Sequence, residues 1–367
     1  MQKKLIILCF LFIINCEDSK DDAPVTVEKG VILETLTEGL ANPWGLAFLT
    51  DGSILITERP GKLRHYINGA LKDISGLPDI IASGQGGLLD IQTHPNFENN
   101  QRIYFTATVG SRSAFSTALF SAEFLSGQLE NVKQLFQADI KNSNNKHFGS
   151  RIVIDNKGYL FVSLGERDNP SSAQDLSNHN GTIVRLTEAG EIPTDNPFIS
   201  TPNAKPEIWS YGHRNIQGMT LHPLTGELWS HEHGPRGGDE INIIKKGANY
   251  GWPLATFGVD YDGSIISNKT SIPGAEDPLY YWVPSIAPCG MGFYHSDTIP
   301  QWKGSVFLGA LAGKHLNRIT AENNKVISEE RLYQNVGRFR HVTQGPDGYL
   351  YFITESPGRL YRARPSK

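Results

Sequence analysis

HEHGPRGGDE, residues 231–240, sets His231 and His233 around Glu232 and ends on Asp239 and Glu240. It follows the extended run GELWS, so the two histidines fall on one face and Glu232 on the other. Two imidazoles at that spacing could chelate a metal. No third soft ligand stands nearby, however, and the helical HExxH pattern of zinc sites is absent. NNKHFGSRI (144–152) offers His147 where a loop enters a strand. Imidazole titrates near neutrality and suits general-base work, although a lone histidine is more often structural. LGERDN (164–169) supplies Glu166 and Asp168, which share a face if the strand continues, with Arg167 between them. SYGHRNIQGM (210–219) carries Arg214, a planar fixed cation suited to a carboxylate or quinone oxygen, and the amide of Asn215; His213 reads as structural. In GRFRHV (337–342), Arg338 and Arg340 alternate, so both project one way from an extended chain and call for an anion. Lys314, in LAGKHLNRI, adds a cation. Gln85, in GQGGLLD (84–90), sits among glycines that permit close backbone approach.

These stretches flank a repeat. GLAFLTDGSILITER from Gly45, LDIQTHPNFENNQRIYFTAT from Leu89, RIVIDNKGYLFVSLGER from Arg151, GMTLHPLTGELWSHEHG from Gly218, MGFYHSDTIPQWKGSVFLGAL from Met291 and HVTQGPDGYLYFITESPG from His341 share one plan. Each is an apolar strand, a turn rich in Pro, Asp, Asn or Gly, and a second apolar strand. Further β-like runs lie between them: KLRHYIN, TALFSAEF, GTIVRLT and HLNRIT. Two hairpin strands plus two outer strands, six times over, predict an all-β, six-bladed β-propeller with four-stranded antiparallel blades. A sandwich or a β-helix is the rival, and the irregular spacing argues against the β-helix. The last strand, GRLYRAR, and the first, GVILETLTE, could close the ring within one blade. Blade loops converge at one end of the central channel, where function is expected. Residues that open corresponding repeats would then face one another.

Composition narrows the classes. The formal charge of -4 leaves no basic footprint for nucleic acid. At the N-terminus, Lys3 and Lys4 precede the apolar run LIILCFLFII and then Asn15-Cys16. This reads as an export signal over 1–16, too short to span a membrane comfortably. IINC resembles a lipoprotein signal, in which a lipidated Cys16 would tether the mature chain to a membrane; simple secretion is the alternative. Residues 17–30 read as a polar, flexible tether and 31–367 as the catalytic propeller. The expected location is periplasmic, or anchored at the outer membrane. Cys289 is then alone in the body, excluding an internal disulfide framework, and reads as a small buried filler.

Taken together, GQGGLLDIQTHPNF, NKHFGSRIVID, LGERDN, YGHRNIQGMTLHP, HEHGPRGGDEINIIKKGANYGWP, PSIAPCGMGFY and GRFRHV resemble the soluble, PQQ-dependent glucose/sorbosone dehydrogenases, most of all the bacterial aldose sugar dehydrogenases. The resemblance runs from about Val31 to Arg362. It implies a six-bladed propeller holding pyrroloquinoline quinone (PQQ) and calcium at the channel mouth. By that resemblance His147 takes the proton from a sugar's anomeric hydroxyl, Glu166 assists it, and Arg214 polarises the quinone oxygen. Gln85, Asn215, Lys314, Arg338 and Arg340 would hold the cofactor. The backbone carbonyls of Gly234 and Pro235 would bind calcium, and Glu240 with the Tyr250 carbonyl a second, structural calcium. The implied reaction turns an aldose sugar into a lactone, with an electron acceptor the sequence does not name. Two departures stand out: Lys146 precedes the base where the best-known glucose enzymes have an acid, and Glu166 replaces an Asp. Long insertions that shape pockets and dimers in those enzymes are absent, which favours a broad aldose preference and a monomer. A non-enzymatic ligand-binding propeller of the same fold is the alternative. A metal-dependent lactonase would need several carboxylates round one metal, which the strand ends do not supply.

Overall fold

Short apolar strands with a glycine or asparagine turn every few residues bury little surface alone, so they must stack in sheets. The computed structural model describes residues 30–139 and 141–366. The first strand, β1 (Val31–Glu38), is set aside for the end of the ring. Blade 1 follows as β2 (Pro43–Phe48), β3 (Ile54–Glu58), β4 (Lys62–Ile67) and β5 (Ala70–Ile74). Blade 2 is β6 (Leu88–Thr93), β7 (Arg102–Ser111), β8 (Ala114–Leu125) and β9 (Gln128–Gln137). Blade 3 is β10 (Ile152–Ile154), β11 (Leu160–Leu164), β12 (Thr182–Leu186) and β13 (Ile208–Tyr211). Blade 4 is β14 (Ile216–Leu221), β15 (Leu228–Glu232), β16 (Asp239–Ile244) and β17 (Tyr280–Trp282). Blade 5 is β18 (Pro288–Phe293), β19 (Val306–Ala310), β20 (Leu316–Glu322) and β21 (Lys325–Leu332). Blade 6 takes β22 (Phe339–Gln344), β23 (Leu350–Thr354) and β24 (Arg359–Pro365), and β1 completes it in the order β1-β24-β23-β22. All pairings are antiparallel, and the six hairpins expected from the repeat are the inner two strands of the six blades.

The core lies between blades. One cluster joins Leu55 and Leu63 of blade 1 to Phe105 and Phe120 of blade 2. Equivalent clusters join blade 2 to 3, 3 to 4, 4 to 5, 5 to 6, and 6 back to 1. Each blade is therefore packed between two neighbours. β1 supplies the closure: Val31 pairs with Pro365, and Glu34 accepts from Arg362 at 2.7 Å and lies 2.7 Å from Arg364. A seventh, smaller cluster of Trp44, Leu89, Phe115 and Phe148 sits at the loop end of the channel.

Among the described residues, helix is limited to the single turn α1 (Phe97–Asn100) and two short 3-10 turns, and no helix is long and apolar enough to cross a membrane. The export signal and Cys16 lie outside the described residues.

Candidate active site

His147 ends the loop that enters blade 3. Its backbone is left-handed (φ 44°), an unusual conformation for a side chain of this size. The turn at Gly165 holds it there: a Cβ on Gly165 would lie 2.3 Å from the His147 carbonyl oxygen. The ring is buried, only 4% exposed, and its Nδ1 lies 2.5 Å from Oε1 of Glu166. The other Glu166 oxygen accepts from the Asn169 N–H at 2.6 Å, so the carboxylate is fixed at both ends. With Nδ1 committed as donor to a carboxylate, Nε2 carries the lone pair. Burial pushes the His147 pKa below its usual 6.5; Glu166 opposes this and the nearby Arg214 reinforces it. The imidazole is thus neutral and ready to accept a proton at neutral pH.

Glu166 and Asp168 do not share a face. β11 stops at Leu164, and Arg167 and Asp168 both adopt left-handed backbone (φ 58°), which turns Asp168 outward. There it pairs with Lys146 at 3.1 Å, both side chains half-exposed. Arg167 goes inward instead, lying 4.2 Å over the Phe148 ring and donating to the Phe115 carbonyl at 3.0 Å. It supports the loop that carries His147.

Beside the dyad lies a cavity of about 280 Å³ to which every blade contributes. Its aromatic wall is Trp44 and Phe148; its polar lining includes Arg59, Gln85, Asn215, Gln217, His233, Arg338, Arg340 and Glu355. The volume falls near the lower end of small-molecule sites, which begin at roughly 300 Å³. Arg338 and Arg340 do project the same way, as their alternation predicts. Arg340 donates to Glu355 at 2.8 Å and to the Gln217 amide oxygen at 3.2 Å. Arg214 flanks the cavity through its neighbours Asn215 and His233. Its Nη1 donates to the carbonyls of His233 (3.1 Å) and Gly234 (3.3 Å), and its guanidinium lies 5.4 Å from the Trp252 ring. A larger cavity, about 380 Å³, opens on the axis at the hairpin end of the channel between Gln92, Thr93, Met219, Met291 and Thr343, and none of the expected site residues lines it.

Arg151 separates the two. From blade 3 it stacks 3.9 Å over Trp44 of blade 1, pairs with Asp90 of blade 2 at 3.1 Å and donates to the Gln217 carbonyl of blade 4 at 2.7 Å. It also approaches Cys289 Sγ of blade 5 at 3.5 Å and donates to the Arg340 carbonyl of blade 6 at 2.7 Å. One side chain thus touches the other five blades, and it lines the larger cavity.

The Glucose / Sorbosone dehydrogenase family model matches residues 40–362. The chain belongs to the glucose/sorbosone dehydrogenase family. It is 46% identical over 354 residues to the aldose sugar dehydrogenase YliI of Escherichia coli strain K12, the match covering 94% of each chain. The apo-form crystal structure of the soluble aldose sugar dehydrogenase from Escherichia coli superposes with a TM-score of 0.89 at 44% identity, covering 92% of this chain and 100% of that one. The PQQ-bound aldose sugar dehydrogenase of Streptomyces coelicolor matches with a TM-score of 0.76 at 26% identity, over 94% of this chain and 100% of that one.

For a member of the glucose/sorbosone dehydrogenase family, most of the expected site is in one place. Gln85, Asn215, Arg338 and Arg340 line one cavity, and the His147–Glu166 pair and Arg214 stand around it. Lys314 does not line it: the residue is exposed on the loop whose Leu311 does. His231 and His233 donate to, or accept from, no metal-binding partner set; each lies within hydrogen-bond distance of a blade 5 carbonyl, Gly290 at 2.9 Å and Pro288 at 2.7 Å. His213 is structural as expected, held between Glu232 (2.9 Å) and Ser210 (3.0 Å). Cys289 is fully buried but more than filler, since its sulfur lies 3.4 Å from the Arg340 guanidinium.

The residues lining the cavity fit the implied quinone; among the described residues no group of three or more His, Cys, Asp or Glu side chains is placed to hold a metal ion. A cavity with a cationic rim, two aromatic walls and two buried guanidinium Nε atoms without an acceptor, those of Arg59 and Arg340, suits a flat polycarboxylate. Calcium prefers oxygen, including main-chain oxygen. Asp239 pins the Gly234 turn, accepting from the Gly234 N–H at 2.9 Å and from the Ile286 N–H at 2.8 Å, and burial pushes its pKa up to about 6; the Gly234 carbonyl itself accepts from Arg214 at 3.3 Å. Glu240 faces Glu232 across β15 and β16; burial and that second charge push its carboxyl well above the usual range. Tyr250 packs nearby, stacked 4.5 Å from His213.

Sequence reading missed Trp44, Arg59, Gln217 and Glu355. A signal for Glu355 exists. In four repeats an acid ends the second strand or follows it within two residues: Glu58 in ITER, Glu166 in LGER, Glu232 in SHEH and Glu355 in ITES. Each grips the loop or strand start that opens its own blade: Glu58 the Ala41 N–H, Glu166 His147, Glu232 His213 and the Arg214 N–H, Glu355 Arg340.

Proposed function

We propose that this protein is a PQQ- and calcium-dependent aldose dehydrogenase that oxidises the sugar at C1 to a lactone, with His147 as general base. One observation carries the reading: a buried, neutral imidazole, oriented by Glu166 so that Nε2 is free, stands beside an arginine-rimmed cavity built by all six blades. PQQ supplies the two-electron acceptor for the C1 hydride. His147 Nε2 takes the anomeric hydroxyl proton, and Glu166 stabilises the imidazolium that results. Arg214 places a fixed positive charge where negative charge collects during hydride transfer. Gln85, Asn215, Arg338 and Arg340 hold the cofactor's carboxylates and carbonyls, with Lys314 adding attraction from the exposed rim. The carbonyls of Gly234 and Pro235 hold calcium at the site, and Glu240 with the Tyr250 carbonyl a second ion.

The chain is exported and held at the membrane by a lipid on Cys16, and the enzyme acts as a monomer. The sequence patterns described above support both statements, which fractionation and size-exclusion chromatography would check.

Apo-protein given PQQ and calcium should reduce a dye when supplied with aldoses. No reduction with any sugar at saturating cofactor sinks the proposal. His147→Ala should lower kcat by roughly 100- to 10,000-fold, the usual worth of a general base, with PQQ affinity retained.

A further inference from the structure

The cavity holds a cation that the reading above does not use. Arg59 follows β3 in blade 1. Its backbone N–H donates to the Asn42 carbonyl at 3.1 Å and its own carbonyl accepts from the Leu88 N–H at 3.1 Å. The fit is tight: a Cβ on Gly87 would lie 1.8 Å from that carbonyl, and Gly87 has φ +153°. Its Nη1 donates to the Gly84 carbonyl, next to Gln85. Its Nη2 lies 3.6 Å from Oε1 of Glu355. The same carboxylate binds Arg340 at 2.8 Å and Arg338 at 3.6 Å through Oε2. Three guanidiniums from two blades thus converge on one carboxylate inside the cavity, leaving two of their positive charges unmatched within the group. The Nε atoms of Arg59 and Arg340 are buried with no acceptor. Burial also weakens Arg59's hold on its proton more than Glu355 restores it, so a further anion is favourable there.

We propose that Arg59 is a third cationic ligand for the cofactor's carboxylates, joining Arg338 and Arg340 in a cradle that Glu355 holds together before the cofactor arrives. The inference rests on the functional reading above, since it takes PQQ as the anion. A guanidinium held by its backbone and by Gly84 is pre-organised, so little side-chain entropy is lost when a carboxylate docks.

The test is PQQ binding to the full-length protein with calcium and no sugar, followed by quenching of tryptophan fluorescence, since Trp44 lines the cavity. Arg59→Met should raise Kd at least tenfold and flatten its dependence on salt, because one ionic contact is gone. Arg59→Lys should fall between Met and wild type. A folded Met variant with unchanged Kd and salt slope overturns the proposal, whatever happens to its Tm, and would leave Arg59 a clip between blades. Should the Met variant not fold, Arg59→Lys decides: it keeps the charge but loses the planar fork, and an unchanged Kd overturns the proposal equally. Wild-type protein that fails to bind PQQ overturns both this inference and the functional reading; wild type that binds while the Arg59 variants bind as well overturns this one alone.

Discussion

His147 offers only Nε2 to a substrate, because Nδ1 is engaged by Glu166. That division sets the expected pH behaviour. Burial lowers the His147 pKa, so the base is neutral, and kcat/KM level, from alkaline pH down past 6.5 before activity falls. Glu166 acts the other way, raising the pKa and stabilising the imidazolium. Glu166→Gln should therefore move the acid limb to still lower pH while lowering the plateau by roughly 10- to 100-fold, the worth of a charge-assisted hydrogen bond. A limb that moves to higher pH would contradict the arrangement. Gly165→Ala tests positioning without touching the dyad chemically. The methyl would strike the His147 carbonyl, so kcat should fall while PQQ affinity holds.

At the scale of strands and loops, the acid at or just beyond the end of the second strand in four blades is a device for pinning the loop or strand start that opens the same blade. Blade 3 uses that device to orient the His147 imidazole, and blade 6 uses it to gather arginines. The residues that line the cavity are legible in the sequence because their motifs are long and open successive repeats; Arg338 precedes β22 and Arg340 sits at its bulge, yet both reach Glu355. Asp168 was misplaced because nothing in LGERDN marks where β11 gives way to two left-handed residues. Arg59 and Glu355 were passed over because each belongs to a turn whose meaning comes from a partner far along the chain. A second clamp shows the same logic. His179 sits between Asp139 (2.8 Å) and Glu207 (3.4 Å), with Lys205 on Asp139 at 2.7 Å, and ties blade 2 to blade 3 ahead of the His147 loop. The two carboxylates raise the His179 pKa against the cost of burial. Because the folded value is the higher one, this contribution is fully present below pH 6.5 and fades as pH rises through the folded pKa. His179→Gln should cost about 1 kcal/mol in the acid range and less in alkali, measured as denaturant midpoints across pH. A penalty that grows with pH would contradict the clamp.

For the whole molecule, the axis matters most. Arg151 is the one side chain described above that meets the other five blades, and its charge is balanced in a nearly dry interior by Asp90, both 1–2% exposed. Arg151→Met would leave Asp90 unpaired and should cost about 3–5 kcal/mol by chemical denaturation. Adding Asp90→Asn should recover part of the loss; a double variant no better than the single would show that the pair is not the source. Ring closure has a consequence for how the protein is made. β1 precedes the other strands of the ring and its partner β24 follows them, and Glu34, held near pKa 2 by Arg364 and Arg362, ties the two together. Until β24 is made, β1 has no strand to pair with and its edge stays unsatisfied. A stop codon just before Arg359 would cost more than one strand, for it would leave an unclosed ring that no later event could repair.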